Sequence, residues 1–253
     1  MEVHKALVPI FIEIEIPKST KQIGTGVFIY DQAEPFLYTA AHVTDDLQNG
    51  RLLVPTKDGL SQIEGYLGYL DLLPGSSRDN DSIDIAYYRL STDFATELST
   101  YFHPITENAE IAESSLELNV LSVAGYPASK TKRKGKTFTS ELICYRGYAA
   151  EKELYDKFDF LADRNIIIRF QKKDAINPEN SKSAHPPSPR GLSGGAIFAW
   201  PNGKELSQDW HLPTLVGIIH SYKEKEGVFI GTTLLPYVSA KLLGEMKGYD
   251  GIV

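Results

Sequence analysis

Punctuation constrains this sequence most. Short apolar runs recur along nearly the whole chain, and Gly, Pro, Asn and Asp separate most of them. Ile10, Ile12, Ile14 and Ile16 alternate with Phe11, Glu13 and Glu15, the period-two pattern of a half-buried strand. Further strand candidates are 26–30, 36–40, 51–54, 62–69 and 83–90. A second set lies at 118–124, 137–148, 166–170, 195–200, 215–220 and 228–232. The polar stretch 91–115, with Pro104 inside it, separates the two sets. Near the end the spacing becomes helical and predicts one terminal helix over 235–246. Two sets of about six short strands predict an all-β chain of two antiparallel six-stranded β-barrels with a C-terminal helix. Residues 1–110 would form the first barrel and 111–253 the second. Closing a sheet on itself removes its exposed edges. Strand count alone does not separate barrels from a sandwich.

The chain has 253 residues and is 42% hydrophobic, enough to bury a substantial core. No apolar run approaches the length of a transmembrane helix, so no membrane partner is expected. Glu13 and Glu15 interrupt the apolar positions near the start, and that segment does not read as a signal peptide. Cys144 is the single cysteine, so no intrachain disulfide can form. That fits a reducing, cytoplasmic setting. The apolar run around Cys144 predicts a small core side chain. Net charge of −7 argues against nucleic acid as the main partner. A local basic run of Lys130, Lys132, Arg133, Lys134 and Lys136 reads as a solvated loop. His4, His103 and His211 lack ligand spacing, and 71–81 lacks a full EF-hand pattern. No metal or cofactor is therefore expected.

Three short segments carry chemistry together. They are Thr39-Ala40-Ala41-His42, Asp84-Ile85-Ala86 and Gly191-Leu192-Ser193-Gly194-Gly195. A serine hydroxyl needs a neighbouring base to act as a nucleophile at neutral pH. Histidine suits that task, and a carboxylate on its other nitrogen fixes the tautomer. Backbone amides must then face the developing oxyanion, and flanking glycines allow the turn that presents them. Asp45, Asp46, Asp79 and Asp81 compete for the acid role, but none is followed by Ile-Ala.

The ordered trio resembles the trypsin/chymotrypsin family of serine proteases. Gly24-Thr25-Gly26, Gly125-Tyr126-Pro127 and Leu215-Val216-Gly217-Ile218 extend the resemblance over nearly the whole chain. It implies two β-barrels and a triad of His42 as base, Asp84 as its orienting acid and Ser193 as nucleophile. It also implies an oxyanion hole from the amides of Gly191 and Ser193, and a substrate pocket near Pro187, Ile219, His220, Ser221 and Tyr222.

The sequence departs from the family in places. Pro187 stands where trypsins carry an acid that reads basic side chains, so cleavage after Lys or Arg is not supported. Ile219 stands where glutamate-specific members carry a histidine. His220 occupies the position of a serine that often bonds the triad aspartate, and a contact with Asp84 is expected from it. Nothing placed before the first strand resembles the family's activation site, so the expectation is an enzyme active as made or controlled by a regulatory protein partner. The expected function is a serine endopeptidase acting on a protein or peptide through an acyl-enzyme. The alternatives are a peptide-binding or scaffold module on the same fold with little turnover, and an esterase-like hydrolase.

Overall fold

A computed structural model describes residues 2–250 except 17, 71, 73, 74, 79, 80, 136, 173, 174, 176–184, 206 and 244–246. The first run of strands is β1 (Leu7–Ile14), β2 (Ser19–Asp31), β3 (Glu34–Thr39), β4 (Arg51–Thr56), β5 (Gly59–Gln62), β6 (Gly65–Tyr69) and β7 (Ala86–Leu90). Helix α1 (Ala41–Thr44) follows β3, and α2 (Thr92–Leu98) follows β7. The second run opens with β8 (Val120–Gly125), β9 (Thr131–Lys134), β10 (Thr137–Ser140) and β11 (Ile143–Ala149). After α3 (Lys152–Phe158) come β12 (Asn165–Arg169), β13 (Ala196–Ala199), β14 (Thr214–Lys223) and β15 (Val228–Thr233). Helix α4 (Leu234–Leu243) and strand β16 (Lys247–Asp250) end the described chain.

The strands form the two expected bodies. β8, β11, β12, β15, β14 and β13 close into a six-stranded barrel. The first run makes an antiparallel half-barrel in the order β6-β7-β3-β2-β1-β4-β5, and β16 adds to its β6 edge, giving an eight-stranded sheet. Val8, Ile10, Ile12, Phe28, Leu37, Leu52 and Tyr88 fill the first body. Leu121, Val123, Tyr145, Ile166, Ile168, Ile197 and Phe229 fill the second. A third cluster lies between them, with Val27, Ile29, Tyr38 and Ile85 from one side and Ala124, Ala196, Phe198 and Ile218 from the other. Each large apolar side chain buried in these clusters contributes about 1.5–3 kcal/mol.

That seam explains where the period-two reading was incomplete. β1 is buried at every position from Leu7 to Ile12. Val8, Ile10 and Ile12 face the first core, Leu7 joins the seam, and Phe11 meets Phe138 edge-on at 5.1 Å. Both faces of the strand are covered, so its apolar run is nearly continuous. The strand ends at Ile14, and Ile16 is 91% exposed. The expected strand over 137–148 is two strands, β10 and β11. The basic run reads as strand rather than loop: Thr131–Lys134 pairs with β10 in a two-stranded sheet, and Lys136 lies outside the described residues.

Three helices were not anticipated: the single turn α1, α2 and α3. α2 sits inside the stretch taken as a polar connector, capped by Ser91, whose hydroxyl accepts from the Phe94 amide at 3.3 Å. Its Phe94 and Leu98, one turn apart, are buried in the first core. α3 packs Tyr155 inward. The expected terminal helix is present from Leu234. Pro236 is tolerated in its first turn because the early amides of a helix lack partners there. Met246 lies outside the described residues. Cys144 is exposed on β11, not in a core, because the alternating strand points Tyr145 inward and its neighbour outward.

Candidate active site

His42 lies in the single turn of α1 that leaves β3, and Asp84 lies just before β7. The β3–β7 ladder ends at the pair Thr39 and Ala86. That register brings the residues after β3 and before β7 to one edge of the sheet. Ala40 and Ala41 are fully buried against the first core, where larger side chains would push α1 outward.

The outcome is direct contact. His42 Nδ1 donates to Asp84 Oδ2 at 2.5 Å, and the His42 amide donates to Oδ1 at 2.9 Å. Asp84 is 3% exposed. Burial pushes its carboxyl up, but the hydrogen bond and charge of His42 outweigh this and hold it below the usual carboxylate range. Burial likewise disfavours the imidazolium of His42, yet the Asp84 hydrogen bond and charge raise it above an ordinary histidine. Of the rival acids, Asp45 and Asp81 pair with Arg78 at 3.0 and 2.7 Å. Asp46 accepts from Asn49 at 3.2 Å, and Asp79 lies outside the described residues.

Ser193 occupies a turn that only glycine permits. Gly191 and Gly194 have φ of +97° and +84°. A Cβ on Gly194 would stand 2.0 Å from the Thr25 carbonyl and 2.1 Å from the Thr39 hydroxyl. The turn is tied to both bodies: Gly194 N–H donates to the Ile219 carbonyl at 2.7 Å, and Thr25 N–H to the Ser193 carbonyl at 2.8 Å. A Cβ on Gly24 would touch the Val43 side chain at 2.8 Å and the Ser193 carbonyl at 3.1 Å. The serine turn and the histidine helix thus approach the same glycine. Among the described residues, the Gly191 and Ser193 amides meet no backbone acceptor. Ser193 Oγ donates to the His220 carbonyl at 3.4 Å, and among the described residues no hydrogen bond joins it to His42.

A cleft of about 270 Å³ opens beside Ser193. Ile219, His220, Ser221 and Tyr222 line it, and Leu192 and Phe229 add apolar surface. Ser188, Arg190 and Glu224 contribute polar groups. Pro187 is not part of this lining, and its carbonyl accepts the Tyr145 hydroxyl at 3.0 Å. The expected His220–Asp84 contact is not made. His220 Nδ1 pairs with Ser221 Oγ at 3.1 Å, its Nε2 has no hydrogen-bond partner among the described residues, and Asp84 is taken up by His42. Burial pushes the His220 imidazole down to about 4, so it stands neutral.

Comparison with known proteins gives a fold. No family model matches the chain, and no curated protein matches it in sequence. Solved structures do match. VesB protease of Vibrio cholerae superposes with a TM-score of 0.54 at 17% identity, over 94% of this chain and 64% of that one. Catalytically inactive tobacco etch virus protease complexed with substrate gives 0.51 at 13%, over 99% and 88%. Protease Anisep from Arthrobacter nicotinovorans gives 0.50 at 14%, over 92% and 91%. The chain has the chymotrypsin-like protease fold.

Within this chymotrypsin-like fold, sequence reading missed several residues that build the site. Arg78 carries no motif, yet it binds Asp45, Asp81 and the Leu70 carbonyl beside His42. Thr25 and Thr39 stood in quoted motifs without a role: the Thr25 hydroxyl donates to the Gly191 carbonyl at 3.2 Å, and the Thr39 hydroxyl donates to the Thr25 carbonyl at 2.8 Å. Tyr237, in the terminal helix, reaches the end of β3. Helical spacing predicted the helix that carries Tyr237, but nothing local singled out this residue or its partner.

Proposed function

We propose that the protein is a serine endopeptidase with His42 as general base, Asp84 as its orienting acid and Ser193 as nucleophile. The observation that carries this reading is the buried Asp84 carboxylate holding both the ring and the backbone of His42, next to a glycine-flanked serine turn. The bond to Asp84 fixes the proton on Nδ1 and leaves Nε2 free as a base. In the proposed reaction His42 Nε2 takes the Ser193 proton while Oγ bonds to the scissile carbonyl carbon. The carbonyl oxygen becomes an anion facing the Gly191 and Ser193 amides. Collapse expels the amine, which takes the proton from His42, and water then cleaves the acyl-enzyme by the same route. The reading requires that rotation about the Ser193 Cα–Cβ bond bring Oγ from the His220 carbonyl to the imidazole.

Serine rather than cysteine chemistry is favoured by position: Ser193 lines the cleft, and Cys144 is exposed on β11 and is not part of the cleft. Ile219, Tyr222, Leu192 and Phe229 give the pocket apolar walls, and Ser188, Arg190 and Glu224 add polar groups, a mixed lining that suits a substrate side chain with an apolar body. Residues 1–110, with His42 and Asp84, and 111–253, with Ser193 and the cleft beside it, are read as the two halves of the enzyme, and the lack of a disulfide suits work in the cytoplasm. A fluorophosphonate probe tests the assignment. It should label the wild type and not Ser193→Ala. Equal labelling of both, or of neither, defeats it.

A further inference from the structure

Tyr237 ties the terminal helix to the catalytic edge of the first sheet. Its side chain is fully buried. Its ring stacks on Tyr38 with centroids 4.7 Å apart, and its hydroxyl donates to the Thr39 carbonyl at 2.7 Å. The Ala86 amide also interacts with that hydroxyl. Thr39 and Ala86 are the last paired residues of β3 and β7. His42 follows one and Asp84 precedes the other. Thr39 is held from its other side as well, because its hydroxyl donates to the Thr25 carbonyl at 2.8 Å. The Thr25 amide in turn donates to the Ser193 carbonyl at 2.8 Å. One continuous chain of contacts therefore runs from α4 through Thr39 and Thr25 to the serine turn.

We infer that Tyr237 is a positioning residue: by bonding the Thr39 carbonyl it fixes the strand end from which His42 meets Asp84, and couples that end to the Ser193 turn. This rests on the peptidase reading for its catalytic meaning, though not for its geometry. α4 directly follows β15 of the closed barrel, so the device lets the second body set the geometry of a pair carried by the first. Burial raises the Tyr237 phenol well above its ordinary range, which keeps it a hydrogen-bond donor at every working pH. A single buried hydrogen bond has limited worth on its own, so its effect should show in alignment rather than in folding.

The test is Tyr237→Phe beside a matched control, Tyr155→Phe. Tyr155 also has a buried, doubly bonded hydroxyl, with Ser115 at 2.6 Å and the Ile167 amide at 2.9 Å, but it packs in a separate cluster under the second barrel. Two readouts are taken on variants shown to be folded by thermal unfolding. Peptide hydrolysis gives kcat and KM. Proton NMR of the His42 ring, recorded in a Ser193→Ala background, gives its titration midpoint without turnover. The charged and titratable groups around that ring are Asp84, Asp45, Arg78 and His220. Tyr237→Phe should lower kcat about tenfold with KM nearly unchanged, and lower the His42 midpoint as the Asp84 bond loosens. Tyr155→Phe should do neither. An unmoved midpoint in Tyr237→Phe, or equal losses in the two variants, overturns the inference. Absence of wild-type hydrolysis would instead remove the peptidase reading, and the NMR midpoint would still judge Tyr237.

Discussion

Replacing His220 with serine should flatten the acid side of the stability curve. His220 is 6% exposed, and burial pushes its imidazole down to about 4 from an ordinary 6.5. Asp84 and Asp81 oppose that shift, while His42 and Lys223 add to it. A histidine depressed in the folded state takes up its proton first in the unfolded chain. Its contribution is therefore complete above 6.5 and is lost as pH falls toward 4. Linkage sets the loss at about 2 kcal/mol between about pH 7.5 and about pH 5, against a limit of about 3 kcal/mol at lower pH. Urea unfolding followed by tryptophan fluorescence at the two pH values measures it. His220→Ser should be less stable than the wild type near neutrality, because the smaller side chain leaves a void. On acidification, however, the wild type should lose about 2 kcal/mol more than the variant. Equal losses in both proteins would refute the reasoning. His220 would then be solvated, or would carry its proton in the fold with a partner.

Three further outcomes are expected. Asp84→Asn keeps an oxygen for the His42 amide but not the carboxylate that fixes the ring tautomer, so kcat should fall by about three to four orders of magnitude with the fold intact. An unchanged rate of probe labelling would contradict this. Because Asp84 raises the His42 imidazole above its ordinary 6.5 and the base must be neutral, kcat/KM should climb with pH through a midpoint above that value. A pH–rate profile with its midpoint below 6.5 would exclude the assigned base. Gly194→Ala forces a methyl into the Thr25 carbonyl at a φ of +84°, and should cost about 3 kcal/mol or more while abolishing labelling. Thermal unfolding and the fluorophosphonate probe read both effects.

Much of this molecule was legible because its signals are local. β3 and β4 follow short apolar runs that marked them closely, while the run at 26–30 marked only the end of β2, which starts at Ser19, and the run at 83–90 began three residues before β7. Asp84 was distinguishable from nearby acids by the apolar Ile85-Ala86 continuation, which takes it into the interior while Asp45 is left to pair with Arg78 at the surface. Local signals failed where a second surface intervened. Seam contacts bury the outer face of β1, so its true limits differ from its alternation. α2 was overlooked because a one-face amphipathic stretch of seven residues reads as polar on average. The His220–Asp84 contact was inferred from position on a strand, but position does not decide where a ring turns, and Ser221 holds it instead.

Residue chemistry and pattern belong to the sequence itself: an imidazole, a carboxylate and a hydroxyl in order, glycines where a turn needs φ above zero, and strand periodicity on either side of a connector. Strand pairing decided the rest. The register ending at Thr39 and Ala86 joins His42 to Asp84, backbone bonds from Thr25 and to Ile219 tie the Ser193 turn to both bodies, and a tyrosine from the last helix reaches back to the strand end. Periodicity records only which face of a strand is apolar. The partner that covers that face is chosen when distant segments pack, because burial and hydrogen bonding there reward the whole assembly and not any one segment.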